Sequence, residues 1–245
     1  MWILLWQLFC LRVVCFLWDT GKTLLADNIP RKDYIVKNLS KACTLAVLTP
    51  NAMWTAYDVF VHGRWSAATF RVFGAVYCAH DIAGLLRMWP KLPSSTRMHH
   101  CSVVFMSFLS MFYVDYEDPT SLWRGIGVLG CMACWTFVVN MFLALRLVGD
   151  FNTLRQLSVV VYAPTVAVST LWQGLHVLRV QQHVPWFSTI LYLLLVTSVV
   201  YDDIILLGFL RRRAAPSVRS PDCQSFHRLW NGMPVLADTV ETHDA

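Results

Sequence analysis

Apolar residues in this chain gather into seven long runs separated by short polar stretches, at 1–18, 38–61, 67–88, 99–114, 122–148, 157–178 and 184–210. An apolar helix needs about 17–25 residues to cross a bilayer. In lipid, only helices and closed barrels satisfy their own backbone groups. The pattern therefore predicts an all-α, multi-pass transmembrane helical bundle with seven spans, or six if the first run does not insert. Run 1–18 lacks a basic n-region and is followed by no A-x-A-like site, so it reads as a retained N-terminal anchor helix. A polar connection containing Pro30 follows over 19–35, and the transmembrane domain fills 36–211. The last stretch, 212–245, is rich in Pro, Ser and charge and reads as a disordered cytosolic tail.

Composition agrees with this reading. Hydrophobic residues make up 56% of the chain and charged residues 14%, against about a quarter charged in soluble domains. The net charge of +5 sits in connections and tail, which suggests topology rather than a nucleic-acid partner. Seven of the eight cysteines lie in or beside apolar runs, and Cys131 and Cys134 form a CxxC inside one of them with no second pair at zinc-ribbon spacing. They read as buried small hydrophobes, with no disulfide framework.

Loop charge fixes an orientation. When alternate connections are assigned to opposite sides, one side holds fourteen Lys and Arg residues, Lys37 among them, and the other only Arg64, Arg124 and Arg179. Positive connections stay in the cytosol, so the C-terminus is expected there. At 1.5 Å per residue, Asp81 then lies roughly 9 Å inside the cytosolic boundary and Asn140 at a similar depth. His99 and His100 open the facing run, and Tyr162, Asp202 and Asp203 fall in the same half.

Helical spacing places Tyr77, Asp81 and Gly84 on one face. It places His99, Ser102, Met106 and Ser110 on another, Ala133, Thr136, Asn140 and Ala144 on a third, and Tyr162, Val166, Ser169, Gln173 and His176 on a fourth. Together these stripes describe a polar cavity open to the cytosol. Ionisable groups at membrane depth face a bundle interior and mark function. The candidate catalytic group is therefore Asp81, His99 and His100, handling a lipid or acyl group. His80, Tyr77, Asn140, Arg146, Tyr162 and Asp202 are the candidate lipid-binding or cavity-lining residues.

The segment from Gly74 to Asp81, the His99-His100 pair, and Trp135-Thr-Phe-Val-Val-Asn140 running on to Arg146 resemble the TLC-domain family. That family includes the TRAM translocon proteins, the ceramide synthases and smaller lipid-homeostasis proteins, and the similarity covers about Val36 to Arg211. Ceramide synthases use the paired histidines to transfer an acyl group from acyl-CoA to a sphingoid amine. Asp81 matches an acidic position before the pair in the smaller members, and Asn140 with Arg146 looks like their Asn-x-n-Arg element. The synthases also carry a His-Asp and a further aspartate on a later helix, whereas 120–147 here holds no Asp, Glu or His. The resemblance therefore points to the non-synthase branch.

These readings converge on a membrane protein of lipid homeostasis, with membrane lipids or fatty-acyl groups as partners and no required cofactor. In the alternative, an acyl-CoA-dependent acyltransferase, acyl-CoA is the co-substrate. The endoplasmic reticulum is the first expected location and the plasma membrane the second, and a homo-oligomer is compatible. No two histidines stand four apart, so no metal is expected from an H-x3-H zinc motif. A proton-coupled carrier using His80, Asp81, Asp202 and Asp203 ranks lower, because no inverted repeat is visible.

Overall fold

A computed structural model describes residues 2–25, 29 and 31–212. The cytosolic-tail expectation, apart from Arg212, lies outside the described residues. Every described element is helical: α1 (Trp2–Leu24), α2 (Lys32–His62), α3 (Ala67–Met88), α4 (Ser94–Phe112), α5 (Gly125–Cys134), α6 (Phe137–Leu145), α7 (Asn152–Val180) and α8 (Trp186–Arg211). Three of the connections carry a single 3-10 turn.

Local chemistry sets several of these boundaries. Ser66 caps α3 by accepting from the Thr69 amide. Gly63 ends α2 in the left-handed region (φ 64°), the conformation glycine adopts without steric cost, and its N–H returns to the carbonyls of Asp58 and Val59. Pro90 and Pro93 flank the link from α3 to α4 and leave α4 to begin at Ser94, five residues before His99. The histidines therefore lie in the second turn of their helix and not at its start.

The apolar run 122–148 is not one straight helix. A 3-10 turn (Leu122–Arg124) leads into α5, and α6 departs at 48° after a break at Trp135 and Thr136. The Thr136 hydroxyl donates to the Ala133 carbonyl at 2.7 Å, an alternative to the helical ladder. Thr49 of α2 donates to the Cys134 carbonyl at 3.0 Å and satisfies an acceptor that the break exposes. α1 runs on through Asp19 to Leu24, and α2 starts at Lys32, so most of the expected 19–35 connection is helical.

Helices α2, α3, α4, α8, α7 and α6 each pack on the next and close a ring, α6 returning to α2. α5 reaches α2, α3, α4 and α7 from within this ring, and α1 lies outside it against α2 and α3. The outer surface carries many large apolar side chains, and several polar ones lie inside. Trp54, Leu86, Leu171, Leu178 and Leu194 are exposed, while Lys37, Lys41, Asp81, His100 and Gln173 are buried. An outer surface this apolar belongs in lipid or against a partner.

Trp2–Leu24, Asn152–His183 and Trp186–Arg211 are long and apolar enough to cross a membrane, and the bent pair would make a fourth span. α2, α3 and α4 are not apolar enough by the same measure.

Candidate functional site

A cavity of about 1060 Å³ runs through the ring. Its rim carries Lys22, Lys32 and Lys91, its walls include Val103, Met106, Leu143 and Val199, and Phe70 and Phe73 lie at its inner end. There, Phe70 stacks on Tyr116 at 4.8 Å, and the Arg124 guanidinium sits 3.8 Å over Trp65. This aromatic group closes the end opposite the basic rim.

The expected catalytic group comes together between α3 and α4, with partners from α2 and α8. Asp81 of α3 has no exposed surface, and its Oδ1 receives the Lys41 ammonium from α2 at 2.7 Å. His100 Nδ1 stands 3.0 Å from the same oxygen. Lys37 Nζ lies 3.1 Å from His100 Nε2, with donor and acceptor set by the imidazole tautomer. His99 and His100 meet edge to face at 5.4 Å. His99 Nδ1 is 3.6 Å from Asp202 Oδ2 of α8, and the Thr96 hydroxyl donates to Asp202 Oδ1 at 3.3 Å. Neither Nδ1, nor Asp81 Oδ2, has a hydrogen-bond partner.

Gly84 makes this packing possible. A Cβ there would lie 3.0 Å from Lys37 Cε and 3.2 Å from its Nζ, so the lysine stem occupies the space a larger residue would fill.

The remaining candidates divide. Tyr77 lines the cavity, with Lys41 Nζ 4.3 Å above its ring. Asn140 lines it while donating to the Thr136 carbonyl at 3.2 Å. Tyr162 lines it and donates to Asp203 Oδ1 at 2.7 Å. Asp202 is also part of the lining.

Two expected lining residues are placed elsewhere. His80 turns toward α2, where its Nε2 meets the Thr44 hydroxyl at 3.0 Å. Two residues adjacent on a helix point about 100° apart, so His80 cannot share the Asp81 face. Arg146 stacks over Phe209 at 4.6 Å and reaches Tyr34 Oη at 3.4 Å, tying α6 to α8 and α2 at the edge of the bundle. Asp81 itself lies behind His100 and Lys41 rather than on the cavity wall.

The polar stripe of α7 faces inward as its spacing predicts. Tyr162, Val166 and Ser169 line the cavity, Gln173 donates to the Gly125 carbonyl at 3.1 Å, and His176 Nε2 is 3.1 Å from the Leu122 carbonyl.

Sequence reasoning missed the two lysines. Lys37 was counted among connection charges, which becomes thirteen against three without it, and Lys41 was given no role. Their i, i+4 spacing within a largely apolar segment was the available signal. The sequon Asn38-Leu39-Ser40 is helical, with Asn38 buried and donating to the Tyr34 carbonyl at 2.8 Å. The seven described cysteines are free, and Cys131 and Cys134 are buried.

No family model, curated protein or solved structure matches the chain.

Proposed function

We propose that this chain is a TLC-type multi-pass membrane protein of lipid homeostasis that binds or processes a lipid or fatty-acyl group in its central cavity. In this reading the ring helices and α1 cross the membrane as seven spans, with α5 and α6 forming one bent span. The basic rim and the C-terminus face the cytosol, with the endoplasmic reticulum the first expected location. The observation that carries the proposal is the cavity itself, about 1060 Å³ with apolar walls and a buried cluster of Lys37, Asp81, His99 and His100 beside one end. That volume is at the top of the range for small-molecule sites, which are mostly apolar with a few placed polar groups. A lipid has the matching shape, with its chain along the walls and its headgroup beside the imidazoles.

The test is mass spectrometry of lipids that co-purify with the protein in mild detergent. A defined lipid or fatty-acyl class should be retained by the wild type and lost when Val103→Trp or Ala133→Trp fills the cavity. Equal retention by wild type and filled variants would leave only boundary lipid and sink the reading.

The second reading, an acyl-CoA-dependent acyltransferase, draws on Lys22, Lys32 and Lys91 at the rim, which suit the phosphates of CoA. An imidazole of the His99–His100 pair suits a general base. Ceramide synthesis from acyl-CoA and a sphingoid base is not expected, because 120–147 carries no acidic or histidine side chain.

A further inference from the structure

Three buried atoms beside the cavity are left without hydrogen-bond partners: Asp81 Oδ2, His99 Nδ1 and His100 Nδ1. They belong to residues whose ligand-type atoms, one from each, all fall within 4.8 Å of one another. Buried polar atoms in native proteins nearly always find a partner, so three orphans at one point call for something that accepts lone pairs. We propose that this cluster is a metal site, taking one divalent transition ion through the imidazoles of His99 and His100 and the carboxylate of Asp81.

One ligand-type atom from each of the three side chains comes close enough to the others for them to converge on one ion. Bonds of about 2.0–2.1 Å to a tetrahedral ion set its ligands roughly 3.3 Å apart. His100 Nδ1 lies 3.0 Å from Asp81 Oδ1 and His99 Nδ1 lies 3.6 Å from Asp202 Oδ2, and neither contact is aligned as a hydrogen bond. Lys41 occupies Asp81 Oδ1 at 2.7 Å and leaves Oδ2 as the single free oxygen. A hydrogen bond of this kind fixes a ligating carboxylate. Lys37 Nζ stands 3.1 Å from His100 Nε2, so Nδ1 is the nitrogen turned toward Asp81. Asp202 and Asp203 on α8 offset the positive charge that Lys41 adds.

Two imidazoles and one carboxylate suit zinc or ferrous iron and disfavour magnesium and calcium. Three protein ligands leave a coordination position for an oxygen of the bound molecule.

The full-length chain, purified through a streptavidin-binding tag and free of added histidines, is measured for bound metal by elemental mass spectrometry. About one zinc or iron per chain is expected, and the element found identifies the ion. His99→Ala, His100→Ala and Asp81→Asn should each lose at least about tenfold. His183→Ala, altered in the exposed turn after α7, should keep the full content. Cobalt exchange should give a visible ligand-field band in the wild type that is missing in His100→Ala. Chelation should lower the melting temperature of the wild type and leave that of His100→Ala unmoved, which separates lost metal from misfolding.

Metal far below stoichiometry from zinc- and iron-supplemented cells, together with no cobalt band, would overturn the proposal. So would metal content equal to wild type in a variant combining His99→Ala, His100→Ala and Asp81→Asn. None of these readouts involves a lipid, so the metal site stands or falls apart from the lipid reading.

Discussion

Lys41 and Asp81 form an ion pair at 2.7 Å inside the helix ring, with the lysine side chain 7% exposed and the carboxylate not at all. Breaking such a pair from one side strands a buried charge. Lys41→Met should therefore destabilise the protein by about 3–5 kcal/mol. Removing both charges in Lys41→Met, Asp81→Leu should restore much of that loss, because two apolar side chains replace two desolvated ions. Thermal melts of the single and double variants in detergent check this. Equal, additive losses would show that the pair carries no coupling.

Gly84 gives a cleaner separation of function from folding. An alanine Cβ there meets the end of the flexible Lys37 side chain, 3.0 Å from Cε and 3.2 Å from Nζ. Because a lysine tip moves easily, Gly84→Ala should stay within about 1 kcal/mol of wild type. The ammonium should nevertheless leave its 3.1 Å contact with His100 Nε2. Gly84→Ala and Lys37→Met should then share one lipid phenotype at nearly normal abundance. A normal lipid profile in both would remove Lys37 from the site.

Much of the bundle was legible in the runs of apolar residues. The bounds expected for α3, 67–88, coincide with those observed because Ser66 and the Trp89-Pro90 pair punctuate it at the sequence level. The break at Trp135 and Thr136 was hidden, since it rests on hydroxyl contacts from Thr49 and Thr136 and not on a proline or glycine. The site was legible from its acid and its histidine pair, but not from its lysines. Hydropathy averages over a helix and does not report that Lys37 and Lys41 turn inward.

The proposed topology rests on loop charge. A protease-cleavable tag after Lys91 or at Ala245 should be cut from the cytosolic side of sealed vesicles, and one at Glu117 should be cut only after permeabilisation. The opposite pattern would reverse the orientation and move the cavity mouth to the other leaflet.

Acidification should loosen the turn between α4 and α5 first. The Thr120 hydroxyl at 2.7 Å, and its backbone N–H at 2.8 Å, hold the Asp118 carboxyl below the ordinary carboxylate range. A carboxyl depressed in the folded state contributes stability above its unfolded value, about 3.9, and loses it as pH falls through the folded value. Protection of the Thr120 amide from exchange should decline over that acidic window. In Asp118→Asn it should already be low at neutral pH. Protection that is independent of both changes would dissociate the turn from this carboxylate.

The inward lysines of α2 also bear on how the chain is made. In the membrane reading, a lysine disfavours insertion by up to about 2.5–3.5 kcal/mol at a helix centre and by less toward the ends, and Lys37 and Lys41 lie in the first three turns of α2. α2 carries two, and its principal counter-charge, Asp81, leaves the ribosome 40 residues after Lys41. As a solitary segment α2 is therefore a poor client for the insertion machinery and would linger at the interface or in the channel. It becomes a stable span only when α3 arrives with the carboxylate. The two helices should enter the bilayer as a pair, and Asp81→Asn should show its first defect during synthesis, before any lipid is met.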